Sequence, residues 1–161
     1  SKMQWILWTI SLSIVYIFNF LKKIFLGDSG SYILAFIYGV FLMKFYSSNN
    51  YISPFFIIAI LWYPCFEMLF SIVRKLLTKR SPILPDTRHL HQLLFSKILK
   101  SKINIADKYK NSIAGTSLNI YNFIFIYLSF TEINNSSYQI TLIITNTAIY
   151  SYSYFYLIKN D

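Results

Sequence analysis

Long apolar runs, separated by short polar stretches, dominate this chain. At about 1.5 Å per helical residue, each run is long enough to cross or nearly cross the roughly 30 Å hydrocarbon core of a bilayer. The pattern therefore predicts an all-α integral membrane protein with about five transmembrane helices. The predicted helices are residues 3–21, 31–46, 52–73, 113–130 and 139–158.

Basic residues fall almost entirely on one side of this predicted topology. The chain carries 15 Lys and Arg against 6 Asp and Glu, a formal net charge of +9. Thirteen of the 15 lie in the loops 22–30 and 74–112 and near the C-terminus, which share one face. Because cationic residues concentrate in cytoplasmic loops, we expect the N-terminus outside and the C-terminus in the cytoplasm. The basic face would then meet anionic lipid headgroups or an anionic substrate.

Composition narrows the class of protein further. Of the 161 residues, 55% are hydrophobic and only 13% are charged, which excludes a disordered chain and a solvated nucleic-acid-binding module. The single cysteine, Cys65, excludes an intramolecular disulfide. We expect one membrane domain over residues 1–161, with membrane lipids as partners and no nucleic acid.

A tight polar turn, Gly27-Asp28-Ser29-Gly30, follows the first predicted helix. Asp28 is the only carboxylate among the first 66 residues, and it opens the next helix. It can stabilise the helix N-terminus as a cap. It can also hold a hard cation such as Mg²⁺, which is usually bound by one or two carboxylates together with substrate phosphates. The residues alone leave both readings open.

A second carboxylate, Glu67, lies inside a predicted span, three residues after Pro64. Because burial of an ionisable group within a membrane is costly, such a residue is a candidate functional group. The alternative is a carboxyl group that hydrogen-bonds a neighbouring helix and only orients it. Both interpretations remain open at this point.

The long basic loop 74–112 contains both histidines of the chain and two prolines that forbid a continuous helix between residues 82 and 85. The two histidines lack a third ligand nearby, so zinc is not expected. Several cationic donors could instead converge on phosphate oxygens, or the loop could bind lipid headgroups through charge alone. The candidate phosphate-binding residues are Arg74, Arg80, Arg88, His89 and His91.

Two motifs on the same predicted side resemble one family. They are Gly27-Asp28-Ser29-Gly30-Ser31 and Arg80-Ser81-Pro82 followed by Pro85-Asp86 and His89-Leu90-His91-Gln92. Both are similar to motifs of the bacterial polyprenyl-phosphate N-acetylhexosamine-1-phosphate transferases, integral membrane enzymes in a superfamily with the phospho-N-acetylmuramoyl-pentapeptide translocases. Gln92 stands where that family often carries a further histidine.

The resemblance implies a reaction and a set of roles. A UDP-N-acetylhexosamine would donate its sugar 1-phosphate to polyprenyl (undecaprenyl) phosphate, releasing UMP, at the cytoplasmic face of a bacterial inner membrane. Asp28 would be the catalytic Mg²⁺ ligand. The five basic residues named above would hold substrate phosphates. The resemblance leaves the donor sugar and the glycan pathway open.

The family's other acidic loops, a paired Asp-Asp and an Asn-x-x-Asp-Gly type sequence, do not occur in these residues. We therefore expect the C-terminal half of a larger transferase, active only when joined to or paired with the missing N-terminal half. The expected protein partners are that missing half or further copies of this chain. A truncated, non-catalytic membrane protein is the main alternative. A transporter or channel, suggested by Glu67 and Pro64 within a span, is another.

Overall fold

The computed structural model describes residues 2–21, 23–79, 81, 88–101 and 106–159, and within them the chain forms helices and no strand. This confirms the all-α prediction for the described residues. The helices are α1 (Lys2–Phe20), α2 (Gly27–Ser47), α3 (Pro54–Ile60), α4 (Trp62–Leu77), α5 (Leu90–Lys100), α6 (Asp107–Thr131) and α7 (Ser136–Lys159).

The helices belong to two compact units, Ser1–Ser48 and Asn49–Asp161. The first unit contains α1 and α2. In α2 the large apolar side chains are exposed, among them Tyr32, Phe36 and Met43, each more than 70% accessible. A helix that leaves its apolar surface uncovered along its whole length is typical of one that faces lipid.

The second unit begins with α3, whose start follows from local sequence. The Oγ of Ser53 accepts a hydrogen bond from the Phe55 N–H at 3.2 Å. Pro54 occupies the first helical position, where its missing N–H would have had no intrahelical partner and its fixed φ suits a helix. Ser53 is therefore an N-cap, and the apolar run beginning near residue 52 starts with a defined helix end.

α3 and α4 are separated by a bend of 71°. Pro64 is the third residue of α4, within the first turn, where backbone N–H groups lack intrahelical acceptors. The proline therefore removes no helical hydrogen bond from α4 and is compatible with a new helix start at Trp62. The predicted continuous helix 52–73 is thus two helices in the structure.

The core of the second unit forms around α7. Tyr150, Tyr154 and Leu157 of α7 are buried against Trp62 of α4 and against Leu90 and Leu93 of α5. The Trp62 Nε1 donates a 3.1 Å hydrogen bond to Thr147 Oγ1, so the indole is held at both its apolar face and its polar edge. α5 is amphipathic and lies inside the predicted loop 74–112, where Leu90, Leu93 and Leu94 pack on this core.

Polar side chains join α3, α6 and α7 at the other end of the unit. Gln139 is fully buried, and its Nε2 donates to the carbonyl oxygens of Ser129 and Glu132, both at 2.8 Å. Its Oε1 accepts from the Ser129 hydroxyl at 2.6 Å. The Ser53 and Ser136 hydroxyls are hydrogen bonded to each other at 2.8 Å. Every polar group of Gln139 is therefore engaged without water.

Three threonines of α7 hydrogen-bond within their own helix. The Oγ1 atoms of Thr141, Thr145 and Thr147 each donate to the carbonyl oxygen four residues earlier, at 2.9, 2.8 and 2.8 Å. Threonine hydroxyls commonly take this partner in helices. The threonines thus make the sequence of α7 more polar, but their hydroxyl groups already donate hydrogen bonds to the backbone of the same helix.

Length and composition identify two helices of the described part as long and apolar enough to cross a membrane, Gly27–Ser47 and Tyr109–Thr131. The bent pair α3 and α4 would make a third if it is one span. In α1 the apolar stretch found is Ile10–Phe20, shorter than a span. The five spans, the orientation of the chain in the membrane and the single membrane domain stay predictions.

Candidate functional site

The Glu67 carboxylate, on α4, binds groups from α5 and α7. Its Oε1 lies 3.1 Å from His89 Nδ1 and accepts a 3.0 Å hydrogen bond from the Leu90 N–H. Its Oε2 accepts a 2.7 Å hydrogen bond from the Tyr150 hydroxyl. The carboxylate side chain is only 12% exposed, so these three donors replace most of its hydration. Glu67 thereby ties together three helices that are distant in sequence.

His89 is the residue immediately before α5, in extended conformation. Its backbone N–H donates to Gln92 Oε1 at 3.1 Å. Its imidazole is 28% exposed. The Glu67 carboxylate accepts from the first N–H of the helix, a position where negative charge is favourable. The start of α5, and with it the first histidine, is therefore held on both its side-chain and backbone atoms.

His91 lies one residue into α5 from Leu90, and its ring is nearly parallel to that of His89. The ring centroids are 5.8 Å apart and the interplanar angle is 11°. Partial burial lowers the pKa of His91, the neighbouring His89 lowers it further, and the Glu67 carboxylate partly opposes both. The lowered pKa favours the uncharged form of the second imidazole.

Arg74 lies two helical turns after Glu67 on α4, close to α7. Its guanidinium carbon is 5.8 Å from the centre of the Tyr154 ring, and its Nη2 donates to Ser71 Oγ at 3.4 Å. Tyr154 follows Tyr150 by one turn, and the two rings are stacked at 6.2 Å. One face of α4 thus presents a carboxylate and a guanidinium to two tyrosines one turn apart on α7.

The remaining predicted residues are placed as follows. Arg88 is exposed and directly precedes His89, so the second unit brings Arg88 and both histidines together. Arg80 lies outside the described residues. Asp28 belongs to the first unit, is exposed, and lies in the first turn of α2. The N-cap position of α2 is Leu26, and no side chain caps the helix, so Asp28 contributes its charge to the helix start without being the cap itself.

Two parts of this site were not predicted from sequence. Tyr150 is one of many aromatic residues in α7, and no sequence feature distinguishes it as the partner of Glu67. Gln92 was recognised only as a departure from a histidine, whereas its amide oxygen holds the backbone of His89. For Glu67 the orienting interpretation has structural support, because the carboxylate contacts both His89 and α5.

The fold and site together define a helical protein with membrane-type helices and a buried carboxylate that anchors two histidines beside exposed basic residues. Comparison with known proteins shows which proteins the chain is similar to. The chain is 34% identical over 110 residues to the undecaprenyl-phosphate α-N-acetylglucosaminyl 1-phosphate transferase of Thermotoga maritima, covering 66% of this chain and 36% of that protein. These similarities, with those below, confirm the resemblance: over part of its length the chain is similar to polyprenyl-phosphate N-acetylglucosamine 1-phosphate transferases.

Two further relatives agree. A probable undecaprenyl-phosphate N-acetylglucosaminyl 1-phosphate transferase of Bacillus subtilis is 33% identical over 84 residues, covering 52% of this chain and 24% of that protein. The decaprenyl-phosphate N-acetylglucosaminephosphotransferase of Mycolicibacterium smegmatis is 36% identical over 84 residues, covering 45% of this chain and 21% of that protein. The chain therefore spans about a third or less of the length of these relatives. No family model matches the chain, and no solved structure matches it.

Proposed function

We propose that this chain contributes the nucleotide-sugar phosphate site of an enzyme that transfers N-acetylglucosamine 1-phosphate from a UDP-linked donor to a polyprenyl phosphate, releasing UMP. The observation that carries the proposal is the 34% identity over 110 residues to a transferase named for the undecaprenyl-phosphate and N-acetylglucosaminyl groups. The arrangement of His89, His91 and Arg88 at the start of α5 supports it, because several donors there are available to phosphate oxygens.

Phosphoryl transfer depends mainly on positioning and on charge stabilisation, since the protein forms few covalent bonds itself. In the proposed reaction Arg88 and the two imidazoles bind the donor diphosphate, and their anchorage to Glu67 keeps them fixed during the transfer. Arg74, on the neighbouring helix, contributes a permanent positive charge nearby. The polyprenyl tail lies in the bilayer with its phosphate at the basic face.

The described residues offer only a small number of protein ligands to a Mg²⁺ ion. The described residues contain no group of three or more His, Cys, Asp and Glu that could hold a metal ion. Mg²⁺ commonly keeps several waters and takes one or two carboxylates with substrate phosphates. Asp28, an exposed carboxylate in the first turn of α2, fits that role. When bound, the ion would neutralise phosphate charge.

The proposal places the active site at the cytoplasmic face of the bacterial inner membrane.

The test is a transfer assay on membranes that contain the whole protein as its cell makes it. UDP-N-acetylglucosamine, undecaprenyl phosphate and Mg²⁺ are supplied, and UMP release is measured with formation of the lipid-linked sugar. We expect Asp28→Asn to lower transfer at least about 100-fold, the scale at which loss of a charge-stabilising group acts. Glu132→Gln, which neutralises an exposed carboxylate at the end of α6, should transfer like the wild type. The proposal is contradicted if the wild type releases no UMP, or if Asp28→Asn transfers the sugar phosphate at the wild-type rate.

A further inference from the structure

We propose that Glu67 is a positioning residue of the phosphate site, which selects the ring nitrogen of His89 that carries hydrogen and fixes both histidines relative to the end of α4. This inference rests on the proposed function for its link to phosphate. The geometry that carries it is independent of that link, because one carboxylate receives donors from a side chain of α7, a side chain at the start of α5 and the backbone of α5.

The chemistry of the carboxylate determines the tautomer. An ionised carboxylate only accepts hydrogen bonds, whereas each nitrogen of a neutral imidazole either donates or accepts. Since Glu67 Oε1 lies 3.1 Å from His89 Nδ1, the Nδ1 atom carries the hydrogen. In the neutral ring Nε2 is then the accepting nitrogen, and on protonation it becomes a second donor. Glu67 therefore leaves Nε2 of His89 for the substrate side, where it donates to a phosphate oxygen when the ring is protonated.

The same carboxylate sets the position of the second histidine. Oε1 also accepts from the Leu90 N–H at 3.0 Å, and this residue lies between the two histidines. With its backbone held, α5 projects the His91 ring parallel to that of His89 at 5.8 Å. A shift of the Leu90 backbone would move both imidazoles together. Glu67 thus positions two phosphate ligands through one oxygen.

The two oxygens of Glu67 have separable roles. Oε1 makes both contacts to the start of α5, and Oε2 receives the Tyr150 hydroxyl from α7. A purely structural carboxylate would lose stability when neutralised, but it would leave the protonated nitrogen of His89 unchanged. A positioning carboxylate would change that nitrogen as well. The tautomer of His89 is therefore the observable that distinguishes the two roles.

The experiment is nitrogen NMR on the full protein, labelled at histidine and reconstituted in nanodiscs, with UDP as the binding probe. In the wild type we expect His89 to show hydrogen on Nδ1 and an accepting Nε2. Glu67→Gln keeps the size of the side chain and should shift His89 to a mixture of tautomers, while weakening UDP binding about 10-fold, the lower end expected for outer-shell partners of a binding group. Glu132→Gln is the matched control and should change neither.

The outcomes separate this inference from the proposed function. A wild-type His89 with hydrogen on Nε2 and none on Nδ1 overturns the inference, and this measurement needs no variant to fold. An unchanged His89 tautomer in a folded Glu67→Gln protein overturns it too. Failure of the wild type to bind UDP contradicts the proposed function and leaves the tautomer result standing. The expected tautomer change together with weaker UDP binding supports both.

Discussion

The Tyr150 hydroxyl donates a 2.7 Å hydrogen bond to Oε2 of Glu67, joining residues 83 positions apart in the sequence. The Tyr150 ring is itself 1% exposed and packs edge-on against Trp62, Phe66 and Phe70 of α4. The polar and apolar parts of one side chain thus bind α7 to α4. This contact links α7, through Glu67, to the histidine at the start of α5.

Removal of that hydroxyl should weaken the fold without disturbing the aromatic core. Tyr150→Phe keeps the ring and leaves the Glu67 carboxylate with one donor fewer, so we expect a loss of about 1.5–3 kcal/mol in the free energy of unfolding. Unfolding in mild detergent, followed by circular dichroism, measures the change. Tyr152→Phe is the matched control, because Tyr152 is 74% exposed, and it should leave stability unchanged. Equal losses in both variants would argue against the contact.

Gln139 should be among the residues of α7 least tolerant of an apolar substitution. Gln139→Leu retains the approximate size but leaves the Ser129 hydroxyl and two carbonyl oxygens without their partner in a buried place. We expect destabilisation by about 2–4 kcal/mol, since each unsatisfied buried group costs about 1–3 kcal/mol. Ser137→Ala, at an exposed position two residues earlier, serves as the control in the same unfolding measurement. A Leu variant as stable as the wild type would contradict the buried network.

The turn before Asp28 requires a glycine. Gly27 has a φ of +67°, in the left-handed region that residues with a Cβ rarely adopt. Gly27→Ala should therefore destabilise the first unit by about 1–2 kcal/mol. Gly39→Ala is the matched comparison, because it lies within α2 and its added Cβ meets nothing within 4 Å. That variant should be neutral or slightly stabilising, since alanine favours a helix by up to about 1 kcal/mol over glycine.

His91 should make the protein sensitive to acid. Burial and His89 lower its pKa from the ordinary 6.5, so the folded chain binds fewer protons at this ring than the unfolded chain. Stability from this group is therefore fully present above the unfolded pKa and is lost as the pH falls below it through the lower pKa of the folded state. We expect the wild type to lose more thermal stability than His91→Gln between about pH 7.5 and about pH 5.5. Equal losses in the two proteins would show that His91 does not carry this dependence.

Long-range contacts account for most of what sequence could not predict. The apolar runs placed α2 and α6, because uninterrupted hydrophobicity and helix length are local properties. The break between α3 and α4 was not predicted, since residues 52–73 form a continuous apolar run and Pro64 in a first turn is compatible with a helix. Glu67 stood out as a carboxylate in that run. Its partner Tyr150 did not, because a hydrogen bond over 83 residues leaves no local pattern.

The threonine hydroxyls of α7 change what that helix costs to place in hydrocarbon. A hydroxyl group without a partner costs about 1–3 kcal/mol to bury. A hydropathy scale based on composition alone assigns such a cost to every threonine of α7. Thr141, Thr145 and Thr147 already donate to carbonyl oxygens of their own helix, so this desolvation penalty is largely met before any lipid contact. The free energy of transfer of α7 into an apolar medium is therefore lower than its composition assigns.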